Sequence, residues 1–553
     1  MAPPPPPPAQ LAAIAGQLPT TLNIAILLVL AFVVWRLGLV IYRLTSHPLA
    51  RFPGPKHYAV STLPYAYKNH LLGQFGHAAR DLHRKYGPVV RIAPNRLMVD
   101  GAVGWQDVFM HKPGRNLPEF GKEARSIGPE AEKSLLGAPT REAHRRQRRQ
   151  LAHGFSEAAI YEQEPIISYY VDLFVRRLSE NSKGGKPLDL HQWLNYLTFD
   201  IIGDLAMSES FGSLESSDYH PWVQNLIRTF QGIKKTLFFI ESGIGALAFL
   251  DPGGHMKQLR KNNEYAFRKA LARVEQGVEP VMPNVGVIGP DGKPKMQVRR
   301  DLVSYQMRKT SDGGDGLTAD EIRVNSITLI GAGSDTTGTN LSTLFFQLSR
   351  PVNRRYFDAV TAEVRSSFKR EADLTLRSVQ SNALPLLHAC IEESLRLHPP
   401  LAELATRISP GGYVDGKWVA PGTQITLYQN ATFHNPDNFL EPDKWQPERF
   451  LPEGHPMYDP RFKAHDNFAI FKPFSAGPRD CIGKNLAYAE MRLVASRILL
   501  RFDLELDPST KETWLEDQYI QFIWIKDPLF IRLKERTDLE LVETTTAAAR
   551  ASV

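Results

Sequence analysis

Cysteine is almost absent: Cys390 and Cys481 are the two in 553 residues. A pair so far apart gives no disulfide framework and fits a reducing compartment. No complete G-x-G-x-x-G occurs. Gly331 and Gly333 supply its first half, but position 336 is Thr, and the pair interrupts a helical pattern instead of following a strand. The chain therefore shows no nicotinamide or flavin fingerprint of its own. Internal repeats are missing, and so is any long linker between residues 57 and 537. The net charge of +7 comes from scattered Lys and Arg with a single cluster, which excludes the usual nucleic-acid modules. Apolar residues at 42% suffice for a sizeable core.

Residues 1–35 carry no charged side chain. Pro3 to Pro8 form a polyproline tract, expected to be extended and solvated. From Leu22 to Leu44 the chain is mostly apolar, and a bilayer takes about 20 such residues. Arg36 lies near the end of this run and can snorkel. Arg36, Arg43 and Arg51 all fall late in or after it, which places the downstream chain in the cytosol by the positive-inside rule. A cleaved signal peptide would need a charged n-region, which is missing. The expected organisation is a lumenal tail (1–20), a transmembrane helix (21–44), a proline-rich hinge (45–56), one large domain (57–537) and a disordered tail (538–553). Cytosolic placement makes the sequons at Asn340 and Asn430 irrelevant.

Cys390 and Cys481 have different surroundings. Cys390 sits in Leu386-Leu387-His388-Ala389-Cys390-Ile391, an apolar helical pattern, and reads as core. Cys481 sits in Phe474-Ser475-Ala476-Gly477-Pro478-Arg479-Asp480-Cys481-Ile482-Gly483, followed at once by an apolar run with helical spacing. A thiolate held on such a loop can be an axial ligand of haem iron, where it favours O–O cleavage. Gly477 and Gly483 permit tight backbone and close approach to a flat macrocycle. The following helix N-terminus helps hold negative charge on sulfur, and Arg479 can fork onto a haem propionate. The order F-x-x-G-x-R-x-C-x-G resembles the haem-binding signature of cytochrome P450.

Three further segments agree with that resemblance. Thr318-Ala319-Asp320-Glu321 has capping-box spacing, so a helix starts there and runs to Arg350, before Pro351. Leu341, Leu344, Phe345 and Leu348 mark its buried face. Its middle, Gly331-Ala332-Gly333-Ser334-Asp335-Thr336-Thr337-Gly338, holds three glycines, each costing about 0.8–1 kcal/mol in a helix. That cost asks for a reason beyond packing; a polar solvent face is the alternative. The segment resembles the A-G-x-D-T-T oxygen-activation stretch of the family. By that resemblance Ala332 and Gly333 lie against the cofactor and leave room for dioxygen, Thr336 donates a hydrogen bond and Asp335 relays protons.

Glu393-Ser394-Leu395-Arg396 places Glu and Arg on one helix face, and Pro447-Glu448-Arg449-Phe450 comes later in the chain. In the family the matching residues form a buried structural network, which assigns Glu393, Arg396 and Arg449 to it. Arg407, between these motifs, matches a propionate-contacting arginine. His144 and Arg148, one turn apart in His144-Arg145-Arg146-Gln147-Arg148-Arg149, match residues that reach the propionates. Arg145, Arg146 and Arg149 read either as a solvated face or as a docking patch for an acidic reductase.

Taken together, the resemblance implies a mainly α fold with small β-sheets behind a transmembrane helix. It implies haem b, dioxygen, and electrons from NADPH through a separate cytochrome P450 reductase, with cytochrome b5 as a second donor. The enzyme would be a monooxygenase in the endoplasmic reticulum membrane. Residues Arg51 to Lys56 and His83 to Pro94 look like fungal enzymes of secondary metabolism of the isotrichodermin hydroxylase type. A lipophilic terpenoid or polyketide substrate is expected, lined by residues 115–128, 237–240, 326–333, 401–404 and 521–523; the Phe-rich cluster 237–240 reads equally as a membrane-dipping surface or core. Strands are expected over 86–94, 97–99 and 413–427, and a surface loop over 280–295. Two alternatives stay open. A haem-thiolate isomerase or dehydratase would have lost the acid–hydroxyl pair. A non-catalytic membrane-tethered haem protein would fill both axial positions.

Overall fold

Helix α1 (Thr20–Thr45) stands off the rest of the chain with its apolar side chains exposed, and it is long and apolar enough to cross a membrane. Its end is tied down: Arg91 Nη1 donates to the Arg43 carbonyl (2.7 Å). In the segment after it, Leu49 and Phe52 are buried, so this part of the expected hinge packs against the domain. The computed structural model describes residues 20–110, 118–123, 132–245, 247, 254–308 and 316–537. The polyproline stretch, the tail from residue 538 and most of the expected substrate wall 115–128 lie outside the described residues.

A five-stranded sheet sits near the start of the domain. Strands β1 (Val89–Ala93) and β2 (Arg96–Val99) form an antiparallel pair, as the β-branched runs predict. Strand β3 (Gly121–Lys122) lies at the opposite edge. The helical part opens with α2 (Arg141–Ala152), α3 (Glu164–Asn181), α4 (Leu190–Met207), α5 (Pro221–Glu241) and α6 (His255–Glu275). The expected loop over 280–295 is instead an antiparallel hairpin, β4 (Val281–Ile288) and β5 (Pro294–Val298). Gly289, Pro290 and Gly292 fall in the turn, while Pro283 and Gly286 lie within β4, whose Val and Ile carry the strand.

Helix α7 (Ala319–Ser349) is the central element. Thr318 Oγ1 accepts from the Glu321 amide (3.3 Å) and Glu321 Oε2 accepts from the Thr318 amide (2.9 Å), which completes the capping box. Two of its three central glycines have a packing reason, contrary to expectation. A Cβ on Gly333 would lie 3.0 Å from Ile202 Cγ1, and one on Gly338 would lie 2.6 Å from Asn195 Oδ1, both on α4. Small residues let the two helices approach closely.

Helix α8 (Pro385–Leu397) packs beside α7, with Cys390 fully buried as expected. The sheet is completed by β6 (Arg407–Ile408) and β7 (Gln424–Thr426), giving the order β1–β2–β7–β6–β3. β7 runs parallel to β2, and β6 pairs antiparallel with β7 and β3. Helix α9 (Lys484–Arg501) comes directly after the Cys481 loop and buries Leu486, Ala489, Met491 and Leu493. A last hairpin, β8 (Tyr519–Gln521) and β9 (Ile523–Ile525), turns at Phe522 with φ of 73°. Replacing Thr318 by Ala should cost about 1 kcal/mol of stability, read by chemical denaturation; an unchanged midpoint would remove the cap from the accounting.

Candidate functional site

The Cys481 loop is built by backbone contacts. The Cys481 amide donates to the Phe474 carbonyl (2.9 Å), and the Gly483 amide reaches the Cys481 sulfur. Gly477 has φ of 82°, and a Cβ there would lie 2.2 Å from the Phe109 carbonyl oxygen. Its necessity is therefore a turn and a close protein neighbour. Gly483 differs: a Cβ there would make ordinary contacts with Phe155 (3.8 Å) and the Cys481 sulfur (3.9 Å). Phe474 packs on Tyr488 of α9 with ring centroids 4.9 Å apart. Cys481 is accessible, yet protein surrounds it closely enough that burial pushes its thiol pKa up, against the Gly483 amide. A coordinated metal would reverse that balance, because a coordinating thiol is deprotonated outright.

A closed set of charges is buried between α8 and the chain that leads to the loop. Arg396 Nε and Nη2 meet the two oxygens of Glu393 at 2.7 and 2.8 Å. Arg449 Nε lies 2.9 Å from Glu393 Oε2, and Arg449 Nη1 pairs with Asp466. All four side chains are fully inaccessible. Arg396 also donates to the carbonyls of Phe433, Pro442 and Lys444 at 2.8–2.9 Å. Asp466 has no motif to mark it; its signal in the sequence is only an acid some way before the loop.

Cations gather on the other side. Arg479 Nε donates to Glu119 (2.6 Å) and Nη1 to the Ala138 carbonyl (2.8 Å). Arg407 is buried with its Nε unpartnered, and burial, then Arg479, push its pKa down to about 10. His144 is buried on α2, where burial and then Arg479 drive it down to about 3, so it is neutral. Arg148 spends both arms on Asp480, at 2.7 Å to the carbonyl and 2.6 Å to the carboxylate, so it holds the loop itself. Arg146 pairs with Glu321, and Arg145 is exposed. A buried guanidinium with an orphaned donor beside a second arginine suits a dianionic group, as the propionates of haem are. The residues therefore fit haem.

On α7, Ala332 is exposed and Thr336 half-buried, although Leu341 to Leu348 are buried. With Thr328 they form one open stripe at i, i+4, i+8. Gly333 is directed to Ile202, so Ala332 alone of the expected pair presents its side chain on this stripe. The Thr336 hydroxyl donates to the Ala332 carbonyl (2.7 Å). Asp335 is turned elsewhere: Oδ1 lies 3.2 Å from Lys526 Nζ and Oδ2 accepts from Thr339 (3.3 Å). Acid and hydroxyl are thus neighbours in sequence but not bonded, since adjacent residues point about 100° apart on a helix. Lys526, just past β9, is buried; burial lowers its pKa and Asp335 opposes this. No local pattern in the sequence singles it out.

The expected walls divide. Leu237 is buried while Ile240 is 49% exposed, so cluster 237–240 is part core and part surface. Leu404, Gln521 and Ile523 are buried, and Leu401 is exposed. Among the described residues, a buried ion pair of Lys234 with Glu403 (2.8 Å) joins α5 to this region.

The family model described as cytochrome P450 matches residues 53–533. Similar curated proteins are fungal. They include cytochrome P450 monooxygenase lcsI of Purpureocillium lilacinum, 37% identical over 89% of this chain and 91% of that protein. Averantin hydroxylase of Dothistroma septosporum is 35% identical over 92% and 90%. Trichothecene C-15 hydroxylase of Fusarium sporotrichioides is 36% identical over 90% and 95%. The chain belongs to the cytochrome P450 family. It is an oxidoreductase of the monooxygenase class.

Glu393→Ala would leave Arg396 without its carboxylate, with Arg449 keeping only Asp466, and should cost about 3–5 kcal/mol. The expected result is a lowered denaturation midpoint with poor haem retention; wild-type stability would show the charges to be dispensable.

Proposed function

We propose that this chain is a membrane-anchored haem-thiolate monooxygenase that hydroxylates or epoxidises a lipophilic intermediate of fungal secondary metabolism, a terpenoid or polyketide. The observation that carries the reading is the accessible Cys481 on its hydrogen-bonded loop beside a buried, under-neutralised set of cations. When bound, haem supplies the activation of dioxygen and the insertion of one oxygen atom into a C–H bond.

The residues divide the remaining work. Cys481 would hold the haem iron through its sulfur, which the amide of Gly483 supports. Phe474 packs against α9 and keeps the loop in place. Arg407 and Arg479 would hold the propionates, with His144 as a neutral neighbour and Arg148 fixing the loop through Asp480. Glu393, Arg396 and Arg449 are structural. Thr336 holds a proton at Oγ1 on the open stripe, and Asp335, ionised in its pair with the Lys526 ammonium, relays protons toward that region by accepting one and passing it on. The proton must cross from one helix face to the next, by side-chain rotation or through water.

Helix α1 anchors the enzyme in the endoplasmic reticulum membrane with the domain on the cytosolic side, supported by the late arginines. Electrons come from NADPH through a separate flavoprotein reductase or cytochrome b5, and the basic face of α2 with exposed Arg145 is the docking side. The names of the relatives support the substrate class, since they specify averantin and a trichothecene. The isomerase alternative loses ground because Asp335 and Thr336 are both present.

The test is the carbon monoxide difference spectrum of the reduced protein in membranes. A red-shifted Soret band of the thiolate type is expected in wild type and should vanish in Cys481→Ala; retained thiolate ligation there would refute the assignment. With a substrate in hand, Thr336→Ala should release peroxide and lower product per NADPH about tenfold. Unchanged coupling would remove Thr336 from proton delivery.

A further inference from the structure

The register of the main sheet sets Lys122 of β3 directly opposite Arg407 of β6. Residues directly opposite share one face, with Cβ atoms about 4.5–5.5 Å apart, and like charges there are destabilising. Arg407 is buried and Lys122 is half-buried, so solvent relieves the pair only in part. Lys122 Nζ donates to the Leu136 carbonyl (2.9 Å), which satisfies one of its three donors and none of its charge. Burial, then Arg407 and Arg479, push the Lys122 ammonium well below the ordinary lysine range. A cross-strand pair of cations at an interior edge calls for an anion.

The neighbouring charges limit how much anion. Arg479 is the third cation of the group, and among the described residues Glu119 is the carboxylate paired with it, 2.6 Å from Arg479 Nε. Arg148 is already offset by Asp480 at 2.6 Å, and His144 is neutral. Glu123, the next residue on the strand, accepts instead from Gln424 Nε2 (2.6 Å). Among the described residues, with Lys122 protonated, three cations face one carboxylate, an excess of two positive charges that two propionates would match.

We infer that Lys122 is a further propionate anchor, paired across the sheet with Arg407, and that Glu119 trims the charge of this cradle to that of a dianion. The inference rests on the haem reading above. It names two residues that no motif marks and makes them act in opposite directions. A cation beside the haem stabilises the reduced state, which carries one positive charge less, and a carboxylate does the reverse.

The experiment uses the purified full-length holoenzyme without substrate. Haem release is followed by transfer to excess apomyoglobin, and the midpoint potential by spectroelectrochemical titration. Lys122→Met should release haem about tenfold faster, as loss of a charge-assisted bond implies, and should lower the potential. Lys122→Arg should restore both. Glu119→Gln should raise the potential. Wild-type release and potential in both Lys122→Met and Glu119→Gln would overturn the inference, as would potential shifts of the same sign. Failure of the haem reading would look different: wild type itself would lack the thiolate-type Soret band.

Discussion

The four buried charges of Glu393, Arg396, Arg449 and Asp466 are the constraint on which the site depends. Two acids and two arginines balance, so the set is neutral, but taking them out of water costs several kcal/mol per ion. Such a set is a poor source of net stability. Its contribution is position. Arg396 gathers the carbonyls of Phe433, Pro442 and Lys444, and Glu393 accepts from the Gln446 amide (2.8 Å). Asp466 takes the Leu440 amide (2.7 Å). The irregular chain from 433 to 466 thus has its backbone groups satisfied by side chains from α8 and from itself. That chain leads into the Cys481 loop, whose shape no regular ladder could impose.

The site joins two opposite electrostatic designs. Between α8 and the chain that leads to the loop the charges cancel and are sealed. On the other side, Lys122, Arg407 and Arg479 outnumber Glu119, and Arg407 keeps an orphaned donor. Leaving a buried donor unsatisfied is expensive, so the imbalance reads as a demand for an anionic partner. The open stripe of α7 is a third element, made of small residues, with hydroxyls at Thr328 and Thr336 on either side of Ala332. An acid is near it but engaged with Lys526 on another face. The carboxylate and the open stripe therefore lie on different faces of one helix.

Much of this is legible in the chain. The capping box, the apolar stripe and Pro351 delimit α7 to within a residue, because caps and periodicity are local. The turn at Cys481, the Glu393–Arg396 pair at i, i+3 and the His144–Arg148 spacing are local as well. Gly333 and Gly338 mislead for the opposite reason. Whether a helical glycine meets a cofactor or another helix depends on what crosses it, and α4 is more than 100 residues away in sequence. The hairpin at 281–298 reads as a loop in the sequence because Gly and Pro signals outweigh the Val and Ile of β4, and β5 carries only one β-branched residue, Val298.

The sequence by itself determined the family chemistry: an isolated cysteine in a glycine-punctuated loop, an acid and hydroxyl inside a helix, and an apolar N-terminal helix. These depend on residue type and short spacing. The tertiary structure decided which charges meet. Lys526 reaches Asp335 across 191 positions, Glu119 reaches Arg479 across 360, and Lys122 faces Arg407 through strand register. Coulomb interactions depend on distance in space and on burial, and neither is set by separation along the chain.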